Sequence, residues 1–372
     1  MANEDLKQKI EELEEELRNT KVNKRTEAAV GKLKAKIARL KEELEKRSSK
    51  GKKGEGYAVK KEGDATIGLL GKPSVGKSTL LTKLTNKESK IGSYDFTTLD
   101  VIPGLMNYKH VDFQILDLPG IIEGASQNKG FGKKVLSIVR VCDLVLLIVD
   151  ATTLEDIDML LEETKNSGIR VNKKKPNISI NKTHYGGIKI IMNHSEIEEE
   201  TIKEILRDNR IMNAEVLINN VDVDLDDFID AIYNNIVYTK GAIVLNKIDK
   251  CSKEEVNNAL NYVKNKYKNF NAIAISGERD NNLDKLKEFI FNNLGLIQVY
   301  LKEPRKESDL EKPLTIKKGS TLEDVCKNIH KDFLKKFKFA KIKGTSVKFD
   351  WQRVGISHIV EDKDIIEITL QK

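Results

Sequence analysis

The feature that most constrains the fold is a buried-strand run that leads directly into a glycine-rich loop and then a helix. Ala65–Leu70 is apolar, the loop reads GKPSVGKS over 71–78, and TLLTKL over 79–84 has helical character. This matches G-x-x-x-x-G-K-[ST] in its required strand–loop–helix setting. In such a loop, backbone N–H groups close around phosphate oxygens at the N-terminus of the helix. The sequence therefore predicts an α/β fold with a nucleotide-phosphate site at this turn.

Two side chains of this loop have distinct expected roles. Lys77 supplies a cation to the β- and γ-phosphates, and the Ser78 hydroxyl is a magnesium ligand. The predicted nucleotide contacts of the loop are Gly71, Lys72, Pro73, Ser74, Val75, Gly76, Lys77, Ser78 and Thr79.

Two further segments complete a site that senses the terminal phosphate. The predicted strand 111–116 leads into DLPG, where the Asp117 carboxylate can hold the magnesium shell through water and the Gly120 amide can contact a γ-phosphate. Between the phosphate loop and DLPG, FTTL over 96–99 is a candidate switch, in which the Thr98 hydroxyl reaches the same magnesium. The predicted contacts of these segments are Phe96, Thr97, Thr98, Asp117, Leu118, Pro119, Gly120 and Ile121.

The base is predicted to bind at a third place. The strand run 241–245 ends in NKID, and the Asp249 carboxylate can accept hydrogen bonds from guanine N1–H and the exocyclic amine. Adenine has no matching pair of donors, so NKID predicts GTP and argues against an ATP-using enzyme. The Lys247 stem can cover the base, and Asn246 can tie this loop to the phosphate loop. The predicted base contacts are Asn246, Lys247, Asp249, Ser276 and Gly277.

Composition narrows the class of protein. At about 100–200 residues per domain, 372 residues correspond to two or three domains. No apolar run approaches the ~18 residues of a membrane span, and the acidic start MANED is unlike a secretory signal. The three cysteines stand far apart, which argues against a disulfide framework or a zinc site. We therefore expect a cytoplasmic protein that has no membrane partner.

The N-terminal region carries two helical stripes and most of the excess charge. Residues 21–62 hold fifteen basic and six acidic residues. The spacing predicts a helical hairpin followed by a basic linker. Two interpretations stay open for this region: solvated helix faces with a linker, or a basic arm that contacts RNA phosphates. The stripes are Leu6, Ile10, Leu13 and Leu17 on one helix and Val30, Leu33, Ile37, Leu40 and Leu44 on the other.

Taken in order, GKPSVGKSTLL, YDFTTL, DLPGIIEGA and NKID resemble the developmentally regulated GTP-binding proteins of the Obg-like GTPase group. The resemblance covers essentially the whole chain. It implies an α/β fold class: a P-loop GTPase domain with a mixed, mostly parallel sheet, a small α/β insert, an N-terminal helical hairpin and a C-terminal β-grasp (TGS) domain. It also implies cytosolic GTPases associated with translating ribosomes.

The domain boundaries expected from this resemblance and from the sequence pattern follow the motifs. The interval between DLPG and NKID is about twice that of a minimal G domain by family analogy, which predicts the insert. A helix over 322–333 is predicted in the tail. The expected domains are a helical hairpin at 1–50, a basic linker at 51–64, the GTPase domain at 65–169 and 237–295, the insert at 170–236, and the TGS domain at 296–372.

The tail from 296 onward holds seventeen basic and twelve acidic residues, for which a soluble surface and an RNA-contacting patch stay open as interpretations. Five lysines lie close together in its sequence. They are Lys335, Lys336, Lys338, Lys341 and Lys343.

Slow hydrolysis is expected. In many small GTPases a glutamine after DxxG orients the attacking water, whereas here that position is Ile121, whose apolar side chain cannot hydrogen-bond to water. Related GTPases hold a monovalent cation partly through an asparagine of the phosphate loop, and here that position is Ser74. We expect potassium, or a ribosomal or protein partner, to supply the missing charge. The expected catalytic groups are Lys77, Thr98 and Gly120, and the expected Mg²⁺ ligands are Ser78, Thr98 and Asp117.

The sequence thus predicts a GTP-binding protein that hydrolyses GTP slowly with Mg²⁺, with K⁺ as a second candidate cofactor, and that acts as a switch on ribosomes. The alternative is an RNA- or ribosome-binding adaptor in which GTP is mainly a structural ligand. Expected partners are GTP and GDP, the ribosome or ribosomal RNA, and a regulatory protein of the family, without specificity for DNA.

Overall fold

The computed structural model describes residues 2–20, 26–49, 63–85, 102–118, 136, 138–192, 197–219, 223–233, 236–302 and 313–371. The chain forms two compact units. The first comprises the described residues of Met1–Ala58, Gly124–Arg140 and Thr164–Tyr238, and the second those of Val59–Glu123, Val141–Glu163 and Thr239–Lys372.

The described helices and strands are numbered in chain order. The helices are α1 Ala2–Asn19, α2 Glu27–Ser49, α3 Lys77–Leu84, α4 Asp156–Asn166, α5 Glu199–Asp208, α6 Leu225–Ile232, α7 Lys253–Lys266, α8 Leu283–Leu294, α9 Leu322–Ile329 and α10 Lys331–Lys335. The strands are β1 Ala65–Leu70, β2 Ile102–Tyr108, β3 Val111–Asp117, β4 Leu144–Asp150, β5 Ile169–Val171, β6 Ile178–Lys182, β7 Ile188–Met192, β8 Ala214–Ile218, β9 Val237–Thr239, β10 Gly241–Asn246, β11 Asn271–Ala274, β12 Leu296–Leu301, β13 Leu314–Lys317, β14 Phe337–Lys343, β15 Gln352–Val354 and β16 Ile365–Leu370.

The second unit is built on a six-stranded sheet with the order β11-β10-β4-β1-β3-β2. All neighbouring pairs are parallel except β2 and β3, which form an antiparallel hairpin. Every residue of β1 and β10 is buried, as expected for parallel strands covered on both faces. The predicted α/β class with a mixed, mostly parallel sheet is therefore confirmed.

The same sheet determines where polar groups meet. In register, Leu69 lies opposite Asp117, and Asn246 lies opposite Asp150. The carboxyl ends of β1, β3, β4 and β10 therefore share one edge of the sheet, where ligands bind in open α/β folds. Helix α3 is anchored beneath this edge by the buried side chains of Leu80, Leu81 and Leu84.

A second sheet, in the C-terminal part of this unit, has five strands in the order β13-β12-β16-β14-β15. Its inner face packs around the buried Leu322 and Val325 of α9. This is the arrangement expected of the C-terminal β-grasp domain. The single helix predicted over 322–333 is wrong: the backbone at His330 is extended, with φ −171° and ψ 148°, and separates α9 from α10.

In the first unit, α1 and α2 pack together through the two predicted stripes, with Ile10 and Leu13 buried against Ile37 and Leu40. Strands β6, β8 and β7 form a three-stranded sheet in that order, with α5 and α6 against it, and β5 pairs with β9 in a separate two-stranded sheet. Helix α2 also contributes the buried Ala35 to this core. None of the helices in the described part of the chain is long and apolar enough to cross a membrane.

Candidate functional site

The phosphate loop depends on two glycines that no other residue can replace without a clash. Gly76 has φ +92° immediately before α3, and a Cβ there would lie 2.5 Å from Asn246 Nδ2. A Cβ on Gly71 would lie 2.4 Å from the carbonyl oxygen of Ile148. Ile148 and Asn246, on neighbouring strands, therefore lie so close to the loop that a side chain would not fit at Gly71 or Gly76. Glycine has no Cβ, so it allows this close approach.

Lys77 is held inside this loop. Its Nζ donates to the carbonyl oxygens of Gly71 and Lys72, both at 2.9 Å, and only 9% of the residue is exposed. Burial lowers the pKa of Lys77, and the negative charge of Asp117 opposes that shift. The ammonium is thus placed by backbone oxygens at the centre of the loop.

Ser78 and Asp117 form the pair expected to bind a metal ion. Ser78 Oγ donates to Asp117 Oδ2 at 2.8 Å. Asp117 is only 7% exposed, and its Oδ1 is buried with no hydrogen-bond partner among the described residues. A buried carboxylate oxygen that lacks a donor is costly unless a cation or water meets it. Hard oxygen ligands of this kind, few in number, suit Mg²⁺, which completes its shell with water and phosphate.

Asp249 is fixed by the loop that follows β11. The buried Ser276 donates through Oγ to Asp249 Oδ1 at 2.5 Å, and Ser276 Oγ itself accepts from the Arg279 N–H at 3.2 Å. The hydrogen bond from Ser276 lowers the pKa of Asp249, which keeps the carboxylate ionised. The group is therefore oriented as an acceptor, as guanine recognition requires.

Asn246 joins the phosphate and base regions. Its Nδ2 donates to the Val75 carbonyl oxygen at 2.8 Å, and its Oδ1 accepts from the Gly277 N–H at 3.0 Å. The side chain is 3% exposed. One buried amide thus holds together the phosphate loop, the end of β10 and the loop after β11.

Sequence reasoning missed two ion pairs that support the site. Lys247, at φ +64°, places Nζ 2.9 Å from Asp150 Oδ2, and Thr152 donates to Asp150 Oδ1 through its N–H and its hydroxyl. Although burial opposes it, the hydrogen bonds from Thr152 and Lys247 lower the pKa of Asp150. Lys72 Nζ likewise lies 2.6 Å from Asp156 Oδ1, at the start of α4. The sequence does contain a signal for Asp150, because this residue ends a buried strand, as Asp117 does.

The other predicted contacts divide into three groups. Pro73, Ser74 and Thr79 are exposed on the loop and at the start of α3, and Leu118 is buried with its N–H donating to the Leu69 carbonyl oxygen at 3.2 Å. The rest lie outside the described residues. These are Phe96, Thr97, Thr98, Pro119, Gly120 and Ile121.

Comparison with known proteins covers almost the whole chain. A family model described as "50S ribosome-binding GTPase" matches residues 66–182, a model for the C-terminal region of that domain matches 185–296, and a TGS domain model matches 297–370. Developmentally-regulated GTP-binding protein 2 of Homo sapiens is 42% identical over 365 residues, covering 97% of this chain and 98% of the relative. The chain belongs to the developmentally regulated GTP-binding protein family.

Other relatives are similar over nearly the same length. A GTP-binding protein of Methanocaldococcus jannaschii is 45% identical over 371 residues, 99% of this chain and 93% of the relative. GTP-binding protein 1 of Schizosaccharomyces pombe is 41% identical over 367 residues, 97% of this chain and 98% of the relative. The chain is thus a GTP-binding protein of the developmentally regulated type, with a GTPase domain and a C-terminal TGS domain.

Proposed function

We propose that the protein binds GTP at this edge of the sheet, hydrolyses it slowly with Mg²⁺, and acts as a molecular switch associated with ribosomes. The observation that carries the proposal is the bridge made by Asn246. Because its amide bonds to both Val75 and Gly277, the phosphate loop and the base loop form one continuous site.

The chemistry follows from the side chains that line this site. Asp249 would accept hydrogen bonds from the guanine edge, which distinguishes GTP from ATP. Lys77 would place a positive charge against the β- and γ-phosphates, where negative charge is redistributed during transfer to water. Ser78 and Asp117 would hold Mg²⁺, which neutralises phosphate oxygens when it is bound. The geometry of Ser78 and the unpartnered Asp117 Oδ1 supports this role.

Hydrolysis is tested by measuring phosphate release from GTP over a Mg²⁺ titration. Asp117→Asn is expected to raise the Mg²⁺ concentration needed for half-maximal rate by about tenfold, since one ionised ligand is lost. Asp280→Asn removes an exposed carboxylate beside α3 and serves as the matched control. An unchanged Mg²⁺ requirement in Asp117→Asn would contradict the assignment of the metal ligands.

The missing water-orienting side chain is tested separately. Because the Ile121 side chain cannot hydrogen-bond to water, we propose that K⁺ or a ribosomal partner supplies the charge that hydrolysis lacks. GTPase rates are compared in K⁺ and Na⁺, with and without ribosomes, under single-turnover conditions. Equal rates in the two salts remove the potassium option, and no effect of ribosomes favours the adaptor function, in which GTP is mainly structural.

Association with ribosomes rests on the matched family description and on the basic excess of residues 21–62 and of the tail. Co-sedimentation with ribosomal particles tests it. A switch is expected to co-sediment more strongly with a non-hydrolysable GTP analogue than with GDP. Absence from the ribosomal pellet in both states would refute this part of the proposal.

A further inference from the structure

One surface of the TGS domain has a composition that stability alone does not explain. It is the outer face of the five-stranded sheet, opposite α9, and we call it the aromatic–basic face. Along β14, Ala340 and Ile342 are buried in the core while Lys341 and Lys343 are exposed, as the alternation of a strand requires. The face is defined by Lys302, Phe339, Lys341, Lys343, Trp351 and Arg353.

Cations and aromatic rings are stacked in pairs on this face. The Arg353 guanidinium carbon lies 3.9 Å from the centroid of the Phe339 ring, and Lys302 Nζ lies 4.9 Å from the centroid of the Trp351 ring. The neighbouring Phe349 is 65% exposed, and Trp351 is 36% exposed. Arg353 thus presents a flat, charged plane supported from below by an aromatic ring.

The charges on the face are arranged unfavourably for an isolated domain. Lys341 and Arg353 lie directly opposite each other on β14 and β15, and like charges in this register are destabilising. Neither cation has an ion pair among the described residues. Glu367, which also lies opposite Lys341, is bonded by Lys302 at 2.8 Å. An anion placed between Lys341 and Arg353 would relieve the repulsion.

These properties together select one class of ligand. Phosphates would meet Lys341 and Arg353, since Lys343 is already paired with Asp350 Oδ2 at 3.1 Å. Unpaired bases would stack on the Arg353 plane and the exposed rings. In a duplex the bases are stacked inside the helix, so a duplex would contact the basic side chains through its phosphates but would not stack on the aromatic rings. We propose that the aromatic–basic face binds a single-stranded segment of RNA. The inference deepens the proposed association with ribosomes and rests on it for its biological setting.

Binding by the full chain is measured by fluorescence anisotropy of a labelled, unstructured RNA of about twelve nucleotides. A duplex of the same length is the comparison, and the single strand is expected to bind more tightly. Arg353→Gln and Phe339→Leu are each expected to weaken binding about tenfold, in line with the loss of one stacked base. Arg353 is exposed, so its variant remains informative if Phe339→Leu fails to fold as judged by thermal unfolding.

Lys341→Gln tests the phosphate contact. It is expected to reduce the slope of log affinity against log salt by about 0.7, the value for one phosphate of a single strand. Lys327→Gln is the matched control, because Lys327 lies on α9 and forms an ion pair with Glu323. The control is expected to leave both affinity and slope unchanged.

Equal affinity for single strand and duplex, or wild-type affinity in both Arg353→Gln and Phe339→Leu, would overturn the proposal. Competition by an oligoglutamate peptide as effective as unlabelled RNA would also overturn it, by indicating an acidic protein as the partner. The experiments distinguish failure of the proposed ribosomal function from failure of the proposed RNA-binding face. RNA binding without co-sedimentation on ribosomes refutes the ribosomal function alone, and co-sedimentation that survives loss of oligonucleotide binding refutes this face alone.

Discussion

The phosphate half and the base half of the candidate site are stabilised by different means. Lys77 and Asp117 are almost completely buried, and among the described residues the Lys77 ammonium donates to backbone oxygens of its own loop. Asp249 is partly exposed and is oriented by the Ser276 side chain. The phosphate half is therefore preorganised by burial and backbone shape, and the base half by hydrogen bonds between side chains. Substitutions should be more damaging in the first than in the second.

The largest effect is expected for Lys77→Met, which removes the buried ammonium while preserving the length of the side chain. Each hydrogen bond to a charged group contributes about 1.5–3 kcal/mol, so loss of the phosphate contacts should weaken GDP and GTP binding about 1000-fold. Titration with a fluorescent GDP analogue measures this. Lys83→Met, on the exposed side of α3, is the control. Affinity within tenfold of wild type would contradict the central role of the ammonium.

Asp249→Asn probes the base half. The amide cannot accept both guanine hydrogen bonds, so GTP affinity should fall about 100-fold, and binding of xanthosine triphosphate should rise correspondingly. Competition between the two nucleotides for the wild type and the variant measures the change in preference. Unchanged GTP affinity would show that Asp249 does not recognise the base.

A smaller effect is expected for Asp150→Asn, because this residue acts through Lys247. Loss of the ion pair leaves the Lys247 stem less well oriented, and we expect GTP affinity to fall about fivefold to tenfold. Discrimination between GTP and xanthosine triphosphate should be unchanged, which separates this positioning role from recognition by Asp249. A change in that discrimination would indicate direct contact with the base edge.

The smallest effect concerns pH. Burial lowers the pKa of Lys77, so the ammonium loses its proton as pH rises through that lowered value, whereas Asp249, with its lowered pKa, stays ionised. Nucleotide affinity should therefore be lower at about pH 9.5 than at about pH 7.5, because the lowered pKa of Lys77 lies below the ordinary lysine pKa of about 10.4. Fluorescent GDP titrations at the two pH values measure this. The same decline in Lys77→Met would assign it to another group.

The sequence predicted the buried strands well because their signals are local. Strands β1 and β10 are short apolar runs, whereas β3 begins with alternating apolar and polar residues. The observed limits of all three strands lie within one residue of expectation. Strand β2 was missed because Pro103 and Gly104 interrupt its pattern, which an edge strand tolerates. Helix α7 was also missed, although Ser252 and Glu255 form a capping box that the sequence displays.

The motifs placed the main groups of the site, but not their supporting partners. The pairing of Lys247 with Asp150 depends on β4 lying next to β10 in the sheet, which residues so distant in sequence do not indicate. The break at His330 was equally hidden, since histidine is no helix breaker by itself. There the imidazole Nδ1 accepts from the Asp332 N–H at 3.3 Å and caps the next helix.

The position of the insert also has a consequence for how the chain reaches its native state. Strands β4 and β10 are hydrogen-bonded neighbours, yet residues 164–238 lie between them in the sequence. Closing such a long loop slows folding through its entropy. The Val237 N–H donates to the Gly168 carbonyl oxygen at 2.9 Å, so folding of the insert joins its own two ends. The effective loop between β4 and β10 is then reduced to residues 151–168 and 237–240, and we expect the insert to fold before the centre of the large sheet closes.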